Sequence, residues 1–537
     1  MASLTVAGRS TVAAARSEAA DPKVRSAEST NLALMILTVA AALAGFAILA
    51  VRWHQPLIGM HSFRQTQTAI SSYSMLHGGP WLAYETPAVG PPWSIPYEFP
   101  LYQWMAAALV ATSGIGLDPA GRLISYIFLL LTIIPARSLV RTYRLQSAVG
   151  WIFALLLLTS PLYLFWGTAF LIETLAVYLG FAFVAETAQV IPRDDWSKTA
   201  RATIYGSLAA LCKITTFAPF YVLSGGALLV ALYADWKQRR PLRRSLVQAF
   251  VIMVVAPIPF ALWDRFADAH KRLNPIGRFM ASSAPMMRAW NFGTWSQLFS
   301  RAMLSTLMRS IVDTLGVAAP LILLLLAVLV IYLRPLNRIE AILTCCALGA
   351  FLAPFAVFTN LHIVHNYYDA ANAIFLVAAV AIVLGGLFAT ARPPLAWAGL
   401  ILIVTSQIAL FCMHFWPDVV HPEGSQLIAI ANRLKAQTSP DAIIVIYGQE
   451  WSPVIPYYAE RRALMEPSFV PRAERLARLD DRLSRQDRGG VGAIVRCASS
   501  FDTDSEFTAK FATLDHVYAK QRAGGCDLYF LNATAGN

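Results

Sequence analysis

Eight ionisable side chains stand in or beside long apolar stretches, where a charge is costly and by default suggests function. Their chemical types, which are imidazole, carboxylate, ammonium and guanidinium, are those that move protons and bind anions. We expect all of them on one side of a membrane, as an embedded active site that faces outward would require. In chain order they are His61, Arg64, Glu98, Glu173, Lys213, His362, His365 and Asp369.

Each of these residues also has an ordinary structural explanation. A lone acidic or basic residue at a helix end can extend to the lipid headgroups. The spacing His362-x-x-His365 can place two imidazoles on one helical face for a divalent metal, or the pair can be satisfied at the membrane interface. Tyr367 and Tyr368 fit the aromatic belt of membrane proteins. The sequence alone leaves these alternatives open.

The elements that carry these residues are apolar segments that recur along the first 416 residues. The chain has 537 residues, 57% hydrophobic and 14% charged, whereas soluble domains have roughly a quarter charged. Crossing a bilayer takes roughly 20 apolar residues. We therefore predict an all-α polytopic membrane bundle of about eleven helices over 31–416. The predicted spans are 31–51, 119–139, 148–166, 168–190, 202–216, 217–234, 246–264, 309–333, 339–359, 371–391 and 395–416.

Basic residues are distributed as a membrane topology requires. The net charge of +12 would suggest a nucleic acid as partner of a soluble protein, but here the cations cluster in alternate connections, so we expect the lipid bilayer and no nucleic acid. The positive-inside rule places the N-terminus and the following clusters in the cytoplasm: Arg9 to Arg25, Arg137/Arg141/Arg144, Arg193/Lys198/Arg201, Lys237/Arg239/Arg240/Arg243/Arg244, Arg334/Arg338 and Arg392.

The remaining segments are assigned from this topology. Residues 1–30 have no apolar core and are predicted to form a disordered cytosolic leader. Outer loops at 52–118 and 265–308, and everything after 416, then lie outside the cytoplasm. The apolar stretch 100–117 is predicted to lie along the outer interface, because a further span would move the Arg137 to Arg144 cluster outside.

The tail, 417–537, has the composition of a soluble domain. It holds 29 of the 74 charged residues, 14 basic and 15 acidic. Short β-branched runs at 442–448 and 491–497 and helical spacing at 425–436 and 470–486 predict a small α/β domain. Cys497 and Cys526 both lie in it. They form a disulfide if the tail faces an oxidising compartment, and the sequence does not decide whether they do.

Short motifs along the bundle resemble those of the protein O-mannosyltransferase and lipid A aminoarabinose transferase families. The run 97–104, Tyr-Glu-Phe-Pro-Leu-Tyr-Gln-Trp, resembles their first-loop motif, and the run 59–65, Gly-Met-His-Ser-Phe-Arg-Gln, resembles the opening of a bacterial subgroup. Segments 170–174 and 209–213 look like their acidic fourth span and their lysine-bearing span. The run 365–368, His-Asn-Tyr-Tyr, is similar to their His-x-Tyr-Tyr segment.

The resemblance implies the GT-C fold in a bacterial cytoplasmic (inner) membrane, with an N-terminus in the cytoplasm and a periplasmic C-terminus. It implies a glycosyltransferase that moves a sugar from a polyprenyl phosphate to a periplasmic glycolipid, polysaccharide or protein. Lys213, with Arg64, would bind the donor phosphate. Glu173, His362, His365, Tyr367 and Tyr368 would line the substrate pocket.

One departure from the family pattern concerns the catalytic base. Where protein mannosyltransferases have an Asp-Glu pair in the first loop, this chain has His61-Ser62. Either His61, whose unperturbed pKa suits a general base, or Glu98 takes the acceptor proton, and the more family-like motif favours Glu98.

Two other function classes fit the same composition. A transporter or lipid flippase would also be a polytopic bundle, although internal repeats, which many transporters have, are not evident. A receptor or scaffold would depend chiefly on its tail domain. Turnover of a polyprenyl-phosphate sugar without a gradient would exclude the first, and intact function after deletion of 417–537 would exclude the second.

Overall fold

The computed structural model describes residues 22–388, 390, 393–484, 490–498 and 504–531. The predicted leader therefore lies outside the described residues up to residue 21, as does Arg392. Residues 22–30, which were predicted to belong to the disordered leader, are helical instead. The first helix begins at Pro22 rather than at residue 31.

Helices make up most of the described chain before residue 421. They are α1 (Pro22–Val51), α2 (Ser62–Leu76), α3 (Leu101–Ser113), α4 (Leu117–Leu131), α5 (Ile133–Thr142), α6 (Ser147–Thr159), α7 (Pro161–Trp166), α8 (Glu173–Arg193), α9 (Trp196–Cys212), α10 (Ile214–Lys237), α11 (Leu242–Phe250), α12 (Ile258–Leu273), α13 (Pro285–Phe292), α14 (Trp295–Leu298), α15 (Arg301–Leu315), α16 (Ala319–Val328), α17 (Arg338–Val357), α18 (Thr359–Val364), α19 (Asp369–Phe388), α20 (Pro393–Leu410) and α21 (Trp416–Val420). Short 3₁₀ or π-helical segments occupy Val251–Val255, Gly277–Met280, Leu329–Leu333, Asn366–Tyr368 and Phe411–Phe415.

Eight described helical stretches are long and apolar enough to cross a membrane, or nine if the bent pair Arg301–Leu315 and Ala319–Leu333 is one span. The chain is thus a multi-pass membrane protein, and the predicted all-α bundle is confirmed. The predicted count of eleven is not confirmed in this part of the chain. The eight stretches are Glu28–Val51, Leu117–Thr142, Glu173–Pro192, Ile214–Lys237, Leu242–Leu273, Arg338–Val357, Asn366–Phe388 and Pro393–Gln437.

Breaks in the helices explain why eight or nine spans are found in the described chain where eleven were predicted. Predicted span 148–166 is divided, because Pro161 holds Ser160 in an extended conformation and α6 ends with 13 residues. Predicted span 202–216 corresponds to α9, which ends after 17 residues where Lys213 is extended. Predicted span 309–333 contains an 81° bend. At 13 residues, α3 is too short to cross a bilayer.

The tail is an α/β domain, as the composition predicts. Its helices are α22 (Ser425–Gln437), α23 (Val454–Ala459), α24 (Arg472–Ser484) and α25 (Ser505–Val517), and its strands are β1 (Ile443–Tyr447), β2 (Arg462–Met465), β3 (Val491–Cys497), β4 (Lys520–Ala523) and β5 (Cys526–Phe530). The strand order is β2-β1-β3-β5-β4, with β1 parallel to β2 and β3 and the other pairs antiparallel. A disulfide joins Cys497 of β3 to Cys526 of β5.

Both outer loops pack on this domain. In the first loop, residues 87–90 run along the free edge of β2: Ala463 N–H donates to Pro87 O and Met465 N–H to Ala88 O, each at 3.0 Å. In the second loop, the guanidinium of Arg278 donates to both carboxylate oxygens of Glu474, at 2.8 and 2.9 Å. The tail is therefore joined to the loops that carry part of the predicted site.

A pair of tyrosines fastens the tail to the helical bundle. The hydroxyls of Tyr457 and Tyr458, on α23, donate to the two carboxylate oxygens of Asp118 at 2.6 and 2.7 Å. Tyr458 also accepts a hydrogen bond from the backbone N–H of Leu57. Because Asp118 lies in the first turn of α4, this contact sets the tail against the N-terminal end of a membrane helix.

Candidate functional site

The first part of the site is a buried ion pair between Lys213 and Glu173. Glu173 is the first residue of α8, and Lys213 stands extended between α9 and α10. Its ammonium contacts Glu173 Oε1, and the two side chains are only 4% and 1% exposed. The ammonium also lies 4.0 Å from the ring centroid of Tyr368 and 5.2 Å from that of Tyr367. A lysine that reached the headgroups would be exposed, so this ammonium is instead held inside the bundle.

The second part is an ion pair within the first outer loop, between Arg64 on α2 and Glu98. Backbone contacts fix Glu98 from both sides. Its carbonyl accepts from the Tyr84 hydroxyl at 3.0 Å, and the N–H of Phe99 donates to Leu211 O at 3.2 Å. Because Leu211 is two residues before Lys213, this last bond places Glu98 beside the first ion pair.

The environment of Glu98 keeps its carboxyl group ionised. Burial by itself would raise the pKa of Glu98, but the positive charges of Arg64 and Lys213 and the hydrogen bonds outweigh it and lower that pKa below the ordinary value. The effect of Lys213 on Glu98 means that the two ion pairs form one electrostatic cluster. Two cations and two carboxylates from separate chain segments therefore converge.

The third part is an aromatic cluster around His61. The imidazole of His61 lies 4.9 Å from the Tyr367 ring, 5.1 Å from His365 and 5.6 Å from Trp166, measured between ring centroids. Burial lowers the pKa of His61 below 6.5, so its neutral form dominates at neutral pH. Burial, with the charges of nearby cations, also lowers the pKa of His365 to about 3.

The backbone of His61 is strained. Its φ of 49° lies in the left-handed region, which costs a residue with a Cβ about 1–2 kcal/mol. Such outliers persist where the surroundings force them and are common at functional sites. Gly59, with φ of 87°, begins the turn, and Asp418 Oδ2 accepts from the N–H of Met60 at 3.3 Å. The turn is thus built to present His61 at the start of α2.

His362 and Asp369 lie behind this cluster. Both ring nitrogens of His362 face protein atoms, with Nδ1 3.1 Å from Phe358 O and Nε2 against Asn372. The carboxylate of Asp369 is fully buried and lies 3.7 Å from the guanidinium of Arg309. His362 is thus enclosed behind the cluster, whereas His365 lies within it beside His61. The two imidazoles therefore do not share one role. Within the described residues, no group of three or more His, Cys, Asp and Glu side chains is placed to hold a metal ion.

Several residues of the site are not evident from the sequence. Gln65 is fully buried and its amide accepts from the N–H of Phe170, while Gln67 Oε1 accepts from Arg64 at 2.7 Å. Trp166 borders the imidazole of His61, and Trp290 borders that of His365. Glutamine and tryptophan have no distinctive spacing here. The buried polar stretch of α2 (Gln65, Thr66, Gln67, Thr68, Ser71 and Ser72) is the one pattern that could have identified the glutamines.

Buried polar atoms of the site that have no hydrogen-bond partner among the described residues include Glu173 Oε2, His365 Nδ1 and Trp166 Nε1. Buried polar atoms are nearly always paired with protein, water or ligand. These three are an acidic acceptor, a ring nitrogen and a donor. Together they offer the hydrogen bonds that a hydroxyl-rich molecule needs.

Comparison with solved structures identifies the fold. ArnT from Cupriavidus metallidurans bound to undecaprenyl phosphate matches with a TM-score of 0.63 and 15% identity over 94% of this chain and 99% of that one. The archaeal oligosaccharyltransferase AglB from Archaeoglobus fulgidus was solved in complex with an inhibitory peptide and a dolichol-phosphate. It matches with a TM-score of 0.52 and 11% identity over 91% of this chain and 72% of that one. Arabinofuranosyltransferase AftD from Mycobacteria (mutant R1389S) matches with a TM-score of 0.50 and 14% identity over 93% of this chain and 41% of that one. No family model and no curated protein matches the chain. The chain has the GT-C fold of these glycosyltransferases.

Proposed function

We propose that this chain is a membrane glycosyltransferase that moves a sugar from a polyprenyl-phosphate donor to an acceptor outside the cytoplasm. The observation that carries the proposal is the convergence of the Lys213–Glu173 and Arg64–Glu98 ion pairs within a GT-C fold. Among the similar structures, that of ArnT holds undecaprenyl phosphate and that of AglB holds a dolichol-phosphate. A lipid-linked phosphate is the kind of anion that two converging cations would bind.

The reaction assigns a task to each part of the site. The bond between the sugar's anomeric carbon and the phosphate oxygen breaks, and a new bond forms from that carbon to the acceptor oxygen. Lys213 and Arg64 stabilise the negative charge that grows on the departing phosphate. The acceptor proton passes to His61 or Glu98. Glu173, His365, Tyr367 and Tyr368 border the space where sugar hydroxyls would be bound, and His362 supports them from behind.

The direct test is turnover by purified protein in detergent, with polyprenyl-phosphate sugars as donors and extracted envelope lipids as acceptors. We expect release of polyprenyl phosphate without any ion or potential gradient. A protein that moves lipid only across sealed vesicles would be a transporter or flippase. Repeating the assay with EDTA tests whether a divalent metal, which the sequence leaves open, takes part. Mass spectrometry of envelope glycolipids from a deletion strain would identify the sugar and acceptor.

The proposed reaction requires a periplasmic site, which gives a first prediction. Tags at residue 10 and in the 237–244 loop should report the cytoplasm, and a tag after residue 430 should report the periplasm. The Cys497–Cys526 disulfide supports this orientation, because disulfides persist in oxidising compartments. A tail found in the cytoplasm would contradict both the orientation and the proposed site.

A second prediction concerns the turn that presents His61. In Gly59→Ala the added Cβ would lie 2.8 Å from both Asp418 carboxylate oxygens, at a φ of 87°. Moving the turn should lower turnover by about tenfold or more, since small displacements at a reacting centre are costly. Gly78→Ala is the matched control, because Gly78 has a φ of 86° but no atom within 4 Å of its Cβ position. Equal activity of the two variants would show that the turn does not position the site.

A further inference from the structure

Trp451 is one of the tail residues that reach the site. Trp451 lies in the connection between β1, which ends at Tyr447, and α23, which begins at Val454. Its ring is 4.5 Å from that of Phe63 at an interplanar angle of 90°, and 5.9 Å from that of Tyr97 at 22°. One face of the indole thus stacks on one loop residue while another aromatic ring meets it edge-on.

The two partners of Trp451 are the residues immediately before the members of the Arg64–Glu98 ion pair. Phe63 precedes Arg64 on α2, and Tyr97 precedes Glu98 in the first outer loop. The two segments are separated by more than thirty residues of chain, with Arg64 and Glu98 at a sequence separation of 34. A ring between Phe63 and Tyr97 therefore fixes the spacing of the two backbones from which the ion pair projects.

The turn that presents Trp451 is held in a costly conformation. Glu450, immediately before it, has a left-handed φ of 51°, and its carboxylate accepts from the N–H of Ser468 at 2.7 Å. Gly448, at the start of the turn, also has a positive φ of 85°. Strained backbone is retained where the surrounding structure forces it, so the direction of the Trp451 side chain is defined by the tail fold.

The tail that carries Trp451 is itself fixed to the bundle. The Tyr457 and Tyr458 hydroxyls on Asp118 lie six and seven residues further along the same connection and helix, and α23 packs against α2. Tyr97 is also held by other residues: its hydroxyl lies 2.9 Å from Met280 Sδ, and the Trp263 indole N–H donates to Tyr97 O at 3.0 Å. The tail segment that carries Trp451 and the Tyr97 ring that it contacts are therefore both held in place by other residues.

We propose that Trp451 is a positioning residue: the tail domain uses it to hold Arg64 and Glu98 in register, so that the donor phosphate and the acceptor meet an aligned ion pair. This inference rests on the proposed function, because it assigns the tail a part in that reaction. Trp451 acts through its ring partners Phe63 and Tyr97.

The test is a double-variant cycle measured on donor turnover. Trp451→Ala should lower kcat/KM about 10- to 100-fold, as small misplacements of reacting groups do, and Trp451→Phe should recover most of it because a ring remains between Phe63 and Tyr97. In a Glu98→Gln background the ion pair is already lost, so Trp451→Ala should cost much less there. A residue needed only for folding would cost the same factor in both backgrounds.

Phe469→Ala is the matched control. Phe469 is also a tail aromatic that meets an outer-loop ring, Phe279, at 6.1 Å, but neither residue flanks the ion pair. We expect it to change turnover by no more than about twofold. If Trp451→Ala does not fold, the same cycle run with Trp451→Leu decides. Equal costs in both backgrounds, or equal effects of Phe469→Ala and Trp451→Ala, would overturn the inference, whereas absence of turnover in the wild-type protein would instead refute the proposed function.

Discussion

Lys213→Ala should abolish sugar transfer, with turnover falling by about 100-fold or more, as when one charge-stabilising donor is removed from an active site. Lys213 is the most buried cation of the cluster, and its ammonium faces Glu173 and the rings of Tyr367 and Tyr368. We expect a donor phosphate to take the place of Glu173 as the partner of this ammonium. Turnover of a defined polyprenyl-phosphate sugar measures the loss.

Because the Lys213–Glu173 ion pair is buried, a second variant is needed to separate lost activity from lost folding. Removing Lys213 alone leaves Glu173 as an uncompensated buried charge, which costs about 3–5 kcal/mol, so lost activity could reflect lost folding. Lys213→Gln combined with Glu173→Gln removes both charges and keeps the volume. If Lys213 binds phosphate, the double variant should fold and stay inactive. If the pair is only structural, the double variant should regain turnover.

Lys237→Ala provides the control for the lysine series. Lys237 is exposed in the last turn of α10, the helix that follows Lys213, and should be dispensable for turnover. Lys213→Arg restores the charge with a different shape. Full turnover in Lys213→Ala, with a thermal unfolding curve like that of the wild type, would contradict the phosphate-binding role.

Much of the fold follows from the sequence because hydrophobic length and charge are physically decisive in a membrane. Apolar runs must be helical in lipid, so the bundle was predictable. In the tail, the β-branched runs predict β1 and β3 to within a residue at each end. Strands β2, β4 and β5 were not predicted: Arg462 in β2, and Lys520, Gln521 and Arg522 in β4, interrupt any apolar pattern, and β5 is a short run that contains Asp527.

The internal breaks of the bundle could not be predicted from hydropathy alone. The sequence places a span boundary at 216, whereas the helix ends at Cys212 and Lys213 is extended, with its buried ammonium paired with Glu173 of another helix. Pairing of this kind depends on tertiary contacts. The same holds for the pairing of Arg64 with Glu98, which the sequence identifies only as separate candidates, and for Trp451, which no sequence motif identifies.

The identity of the catalytic base is the remaining question about the site, and the environments of the two candidates differ. Glu98 is paired with Arg64 and its pKa is lowered below 4.5, so it is a weak base. His61 is buried against neutral rings, and burial together with the charge of Arg309 lowers its pKa below 6.5, although a hydrogen bond with Asn366 and the charge of Glu173 oppose this. A neutral imidazole at pH 7 can accept a proton. The family-like motif favours Glu98, but these environments favour His61.

We therefore expect His61→Gln to lower kcat by about 10²- to 10⁴-fold, the usual contribution of a general base, with little change in donor KM. Glu98→Gln should chiefly raise the donor KM, because Arg64 loses the carboxylate that orients it. In the wild-type protein the base must be unprotonated, so kcat should fall as the pH drops through the pKa of His61, with a limb below 6.5. His77→Gln, at the exposed end of α2, is the control. A large kcat loss in Glu98→Gln with an acidic limb below 4.5 would make Glu98 the base, and full turnover in both variants would place the reaction outside this loop.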